Sequence, residues 1–237
     1  ENFYKWSENG AAVGEPVFVV GNPGNTDRLN TVAQLEYARD IQYPRTVALL
    51  TNLTDIYQEM LKKDPSRRLE LQDMIFSFEN SKKAIGGILD GLRNPVMMQR
   101  KKDFEKTFRA SVEADSDLKA KYGNLWDKIA DSRKQLGEIS NKNFALSMNQ
   151  LSTPKYFFIA DEVISIAENL KLPESERDEL YVGDELNNTL ASLFPEDFDP
   201  EMANLLLEKK IDALYMYLGA DDPLVKKFTG GKRGKEA

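Results

Sequence analysis

Apolar residues recur along most of this chain at helical spacing, and Pro or a capping side chain interrupts the pattern at intervals. Val17-Phe18-Val19-Val20 is the exception, a short β-like run closed by the turn Gly21-Asn22-Pro23-Gly24-Asn25-Thr26. A strand leaves backbone groups unpaired unless neighbours exist, so this run needs a sheet that the rest of the chain does not offer.

After the turn, Thr31 to Gln34 reads as a capping box opening a helix to about Gln42, which Pro44 should stop. From Arg45 to Lys63, Leu49, Leu53, Ile56 and Met60 share a stripe. Asp64-Pro65 supplies a cap and a first-turn Pro for a helix ending near Leu92, before Asn94-Pro95. Further helices are expected from about Val96 to Lys121 and from Asn124 to about Met148, with Leu125, Ile129, Leu136 and Ile139 inward. A helix from Pro154 carries Tyr156, Phe157, Ile159, Ala160, Val163, Ile164 and Ala167 and ends before Pro173. Glu174 to Phe194, Pro200 to Leu218 and Pro223 to Phe228 complete the set. The pattern predicts a mainly α fold, an elongated antiparallel helical bundle with a short β segment at its N-terminal end. The expected division is 1–26 for the β stub and turn, 27–228 for the helical domain and 229–237 for a linker or frayed tail.

The segment from Pro65 to Leu92 departs from ordinary core patterning. Leu71, Met74, Ile75, Phe78, Ile85, Ile88, Leu89 and Leu92 form an apolar stripe, broken by Ser81 and Lys82. Nearly opposite lies a second face of Phe76, Ser77, Asn80, Ala84 and Gly87, where a solvated helix would carry charge. Gly86-Gly87 costs about 0.8–1 kcal/mol per glycine in a helix interior, which close backbone approach or a bend would offset. Asn80 reads either as a satisfied polar bridge between helices or as an anchor for a peptide amine.

Composition narrows the chemistry. The 237 residues contain no His and no Cys, which removes Ser-His and Cys-His catalysis and most zinc sites. Carboxylate-based hydrolysis stays open in principle, but no spaced acid pair nominates itself, and no metal or cofactor site is legible. The net charge of −7 argues against nucleic-acid binding. Pro173 to Asp222 carries 14 acidic and 3 basic residues, which reads as solvated helix faces and caps or as an acidic docking surface. No run approaches the ~18–20 apolar residues of a membrane helix, and Glu1 to Gly10 has no signal-peptide pattern.

The stretch from Glu15 through Gly21-Asn22-Pro23-Gly24 to Asp40, followed by Phe76-Ser77-Phe78-Glu79-Asn80-Ser81-Lys82-Lys83-Ala84-Ile85-Gly86-Gly87, closely resembles the S46 family of bacterial dipeptidyl peptidases. The resemblance implies a serine exopeptidase that removes N-terminal dipeptides, built from a chymotrypsin-like double β-barrel with an inserted helical domain over the cleft. It implies that this chain is that insertion plus one barrel strand, and that the His, Asp and Ser of the triad lie outside it. No catalytic residue is therefore expected here, and the isolated chain should be inactive. By position, Asn80 matches the family's Asn that reaches the substrate's α-amino group. The implied partners are a peptide with a free N-terminus and the barrel of the same parent chain. The implied location is the periplasm or cell surface of a bacterium. The competing reading is a stand-alone helical interaction module that docks through its acidic half.

Overall fold

The capping box at Thr31 forms as read: its Oγ1 accepts from the Gln34 N–H at 3.3 Å, and Gln34 Oε1 accepts from the Thr31 N–H at 2.9 Å. It opens α1 (Val32–Tyr37) in a computed structural model that describes residues 8–21, 28–194 and 198–232. Pro44 does not end this helix. The backbone widens into a π-helical turn over Ala38–Gln42 and continues into α2 (Tyr43–Lys63). A proline inside an α-helix lacks its N–H and presses on the carbonyl four residues back. The wider turn relieves that contact, because the Tyr43 N–H now pairs with the Ala38 carbonyl five residues back.

Asp64 then caps a 3₁₀ turn, Pro65–Arg67, accepting from the Ser66 N–H at 3.0 Å, and α3 (Arg68–Arg93) runs back along α2. Asn94 caps α4 (Pro95–Ala114) through the Val96 and Met97 N–H groups, so this boundary stands as expected. The next segment differs. Asp115 turns out of helical geometry and caps a separate α5 (Ser116–Tyr122), accepting from the N–H groups of Asp117 at 2.9 Å and Leu118 at 3.0 Å. Side-chain capping competes with helix continuation without any Pro or Gly to announce it.

The inward face of α6 (Leu125–Leu146) is rotated from the expected one. Ile129 and Leu136 are half-buried, but Leu125 and Ile139 are exposed, while Ser140 and Ala145 are buried. Cationic planes account for the difference. Arg45 donates to the Ser140 carbonyl at 2.7 Å and lies over the Phe144 ring at 5.1 Å, and Arg133 lies over Tyr37 at 5.7 Å.

In α7 (Lys155–Asn169) Ile166 is buried, whereas Ala160, Val163, Ile164 and Ala167 stay exposed. The expected helix over 174–194 is instead two 3₁₀ turns, Glu174–Glu176 and Glu179–Tyr181, followed by α8 (Gly183–Ser192). Asp178 takes the Leu180 N–H and Asn169 takes the Asp178 N–H, local bonds that substitute for a helical ladder. Helices α9 (Pro200–Leu218) and α10 (Pro223–Thr229) match the expected boundaries, each with a first-turn Pro behind an Asp cap. Thr229 is buried, and Tyr215 Oη donates to the Lys232 carbonyl at 2.6 Å.

The contacts divide the chain into two compact units, Glu1–Asn30 and Thr31–Ala237. Within the first, the described residues form no strand; Val17 to Val20 are exposed and lack the partner a strand requires. Most of the turn Gly21 to Thr26 lies outside the described residues. In the second unit, α9 lies against α2 and α6, α10 folds onto α9, and α1 packs against α4 and α6. Two small clusters form its core: Leu53, Ile56, Phe78 and Leu206 join α2, α3 and α9, while Ala145, Leu214 and Val225 join α6, α9 and α10. Among the described residues, no helix is long and apolar enough to cross a membrane.

The exposed face of helix α3

Helix α3 has two faces of opposite fate. Leu71, Ile75, Phe78 and Leu89 are buried, and the Phe78 ring meets Tyr57 edge-on at 5.3 Å. Ile88, grouped with this stripe by its spacing, is instead half exposed. Two positions along an α-helix is a rotation of about 200°. Accordingly Phe76 and Asn80, which flank Phe78, point away from the core and are exposed, Phe76 by 56%.

Asn80 is thus not wedged between helices. It is exposed, and its side-chain amide has no hydrogen-bond partner among the described residues, so carbonyl oxygen and NH₂ are both available. Ser77, Ala84 and Gly87 on the same face are not buried either: all three are open to solvent. A Cβ added at Gly86 or Gly87 would meet nothing within 4 Å, and α3 is helical throughout Arg68–Arg93. The close backbone approach considered for this pair is therefore absent among the described residues.

The base of α3 is held by charge. Arg67 pairs with Glu70 and, at 2.7 Å, with Asp199, while Lys63 bridges Glu59 at 3.0 Å and Glu201 at 2.7 Å. Burial works to raise the Asp199 pKa. The Met202 N–H and Arg67 outweigh it and hold this carboxyl below the usual aspartate range. Arg67 likewise lowers Glu70. These ties fix the start of α3 to the N-terminus of α9, and hence the rotation that presents Asn80. One contact next to Asn80 carries no sequence signal: Gln58 of α2 donates to the Glu79 carboxylate at 3.2 Å and draws that charge toward α2. Among the described residues no cluster of acidic side chains fits a metal ion.

The geometry defines a helical module with a long helix that leaves an amide-bearing face uncovered, with the exposed Asp73 and Lys83 beside Asn80 on it. The Peptidase S46 family model matches residues 1–237, and the chain belongs to that family. It is similar to the Asp/Glu-specific dipeptidyl-peptidase of Shewanella putrefaciens (strain CN-32), with 23% identity over 178 residues. The match covers 75% of this chain and 24% of that relative, so the chain spans about a quarter of the relative's length. No solved structure matches the chain.

Proposed function

We propose that this chain is the helical cap of a serine dipeptidyl peptidase, closing over the cleft of a catalytic β-barrel and anchoring the substrate's free N-terminus through Asn80. In this reading 1–26 is a strand and turn from the barrel edge, 27–228 is the cap, and 229–237 is a linker whose first residues, Thr229 to Lys232, still pack on α9 and α10. The parent acts in the periplasm or at the cell surface of a bacterium. The chain alone has no His and no Cys, so peptide hydrolysis waits on a triad supplied by the barrel.

The observation that carries this reading is the free amide of Asn80 on an open face that it shares with Phe76, Ser77, Ala84 and Gly87. A carbonyl oxygen fixed on a long helix accepts from an ammonium in a charge-assisted bond. Its distance from the nucleophile then measures out two residues, and closure excludes water from the cleft. The acidic preference named for the relative belongs to that protein; in the family, the pocket for the second residue lies outside this segment.

Kinetics of the full-length enzyme test the role. A hydrogen bond to a charged group contributes about 1.5–3 kcal/mol, so Asn80→Ala should lower kcat/KM for free-amine peptides by about 10- to 150-fold with the fold intact. Unchanged kcat/KM would remove Asn80 from recognition.

A further inference from the structure

Lys210, in the middle of α9, is only 9% exposed. Its ammonium donates to the carbonyl oxygen of Ser147, the residue that closes α6, at 2.7 Å. An ammonium carries three donors. No carboxylate is paired with this one among the described residues, and burial alone pushes its pKa below the usual lysine value. A partly desolvated ammonium that meets only one carbonyl keeps donors to spare for a further partner.

That ammonium borders a cleft of about 410 Å³ between α2, α6 and α9. Ser147, whose carbonyl takes the Lys210 ammonium, lines the same cleft. Leu49, Leu53, Ile56 and Phe144 supply apolar surface, and Asn52 and Asn149 add polar groups. Volume, apolar lining and a few convergent polar atoms are the attributes of a small-molecule site. The exposed Lys209 and Asp212 also line the cleft and offset one another, so Lys210 leaves it one net positive charge, the complement of a ligand with a single negative charge.

We propose that this cleft binds a small monocarboxylic acid with an apolar body, its carboxylate accepting from Lys210 and its hydrocarbon lying on Leu49, Leu53 and Ile56. The site is separate from the Asn80 face and independent of the peptidase reading. Leu53 and Ile56 also pack against Phe78, so occupancy bears on the buried side of α3.

Calorimetric titration of the protein with octanoate, octanol and octylamine tests the assignment. Saturable octanoate binding is expected, with octanol and octylamine at least ten times weaker, and Lys210→Met should abolish the preference for the acid over the alcohol. Ala48→Trp, at an exposed lining position, should block octanoate while leaving the urea midpoint unchanged. It decides the question even where Lys210→Met fails to fold. Equal affinity for octanoate and octanol, octanoate binding that survives Ala48→Trp, or no saturable heat overturns the proposal.

Discussion

Phe76 and Phe78 are the same residue type two positions apart, and they test the facing of α3 by opposite outcomes. Phe78 is 3% exposed, sits in the cluster that joins α2, α3 and α9, and meets the Tyr57 ring edge-on. Truncating a buried Phe to Ala costs about 3–5 kcal/mol from lost burial and the cavity left behind. The aromatic pair with Tyr57 contributes about 0.5–1.5 kcal/mol within such a loss. Against the roughly 5–15 kcal/mol typical of a native domain, Phe78→Ala should remove a large share of the stability. Phe76→Ala removes a ring that is already largely in water and should change stability by about 0.5 kcal/mol or less. Urea unfolding followed by far-UV circular dichroism reads both, with a large drop in midpoint for Phe78→Ala and almost none for Phe76→Ala. Similar costs for the two variants, or a larger cost at Phe76, would refute the register and with it the exposure of Asn80.

Other consequences follow from the same geometry. Gly87→Ala meets no neighbour and should stabilise the helical unit by about 0.5–1 kcal/mol in urea melts; in the full-length enzyme, a simultaneous fall in activity would show that the glycine keeps room for a ligand or for the barrel. The Asp199 pKa lies below its ordinary value, so the stability it contributes is fully present above about pH 4, the unfolded value, and is lost as pH falls through the lower folded value. Asp199→Asn should flatten the acid limb of a midpoint-versus-pH series, and an unaltered limb would show that its tie to Arg67 carries no net stability.

Helix boundaries marked by two signals at once are legible in the sequence. Thr31 with Gln34, Asp64 with Pro65, Asn94 with Pro95, and the first-turn prolines Pro200 and Pro223 each begin a helical segment at the position they mark. Sequence and fold part company where one residue type has two outcomes. Pro44 reads as a stop, but a five-residue π turn absorbs it. Asp115 reads as one more helix charge, yet its side chain caps a new helix. On α6, hydropathy favours Leu125 and Ile139 over the Arg45–Phe144 and Arg133–Tyr37 stacks, because apolar scoring gives guanidinium planes no credit. The β-like run at Val17 to Val20 shows the converse, a local pattern with no partner to complete it.

For the candidate site, the unusual face of α3 and Asn80 on it are visible from periodicity and resemblance alone. The exposure of Asn80 is not, since a polar bridge between helices and a free anchor share the same spacing. The Lys210 cleft is invisible too, because a lysine in a helix reads as surface until tertiary packing buries it.

A crystal structure of the full-length enzyme with a bound dipeptide bears most directly on the central claim. The account predicts the peptide's α-amino nitrogen within hydrogen-bonding distance, about 3.2 Å or less, of Asn80 Oδ1. An amine held by other groups, with Asn80 still facing water, would contradict it.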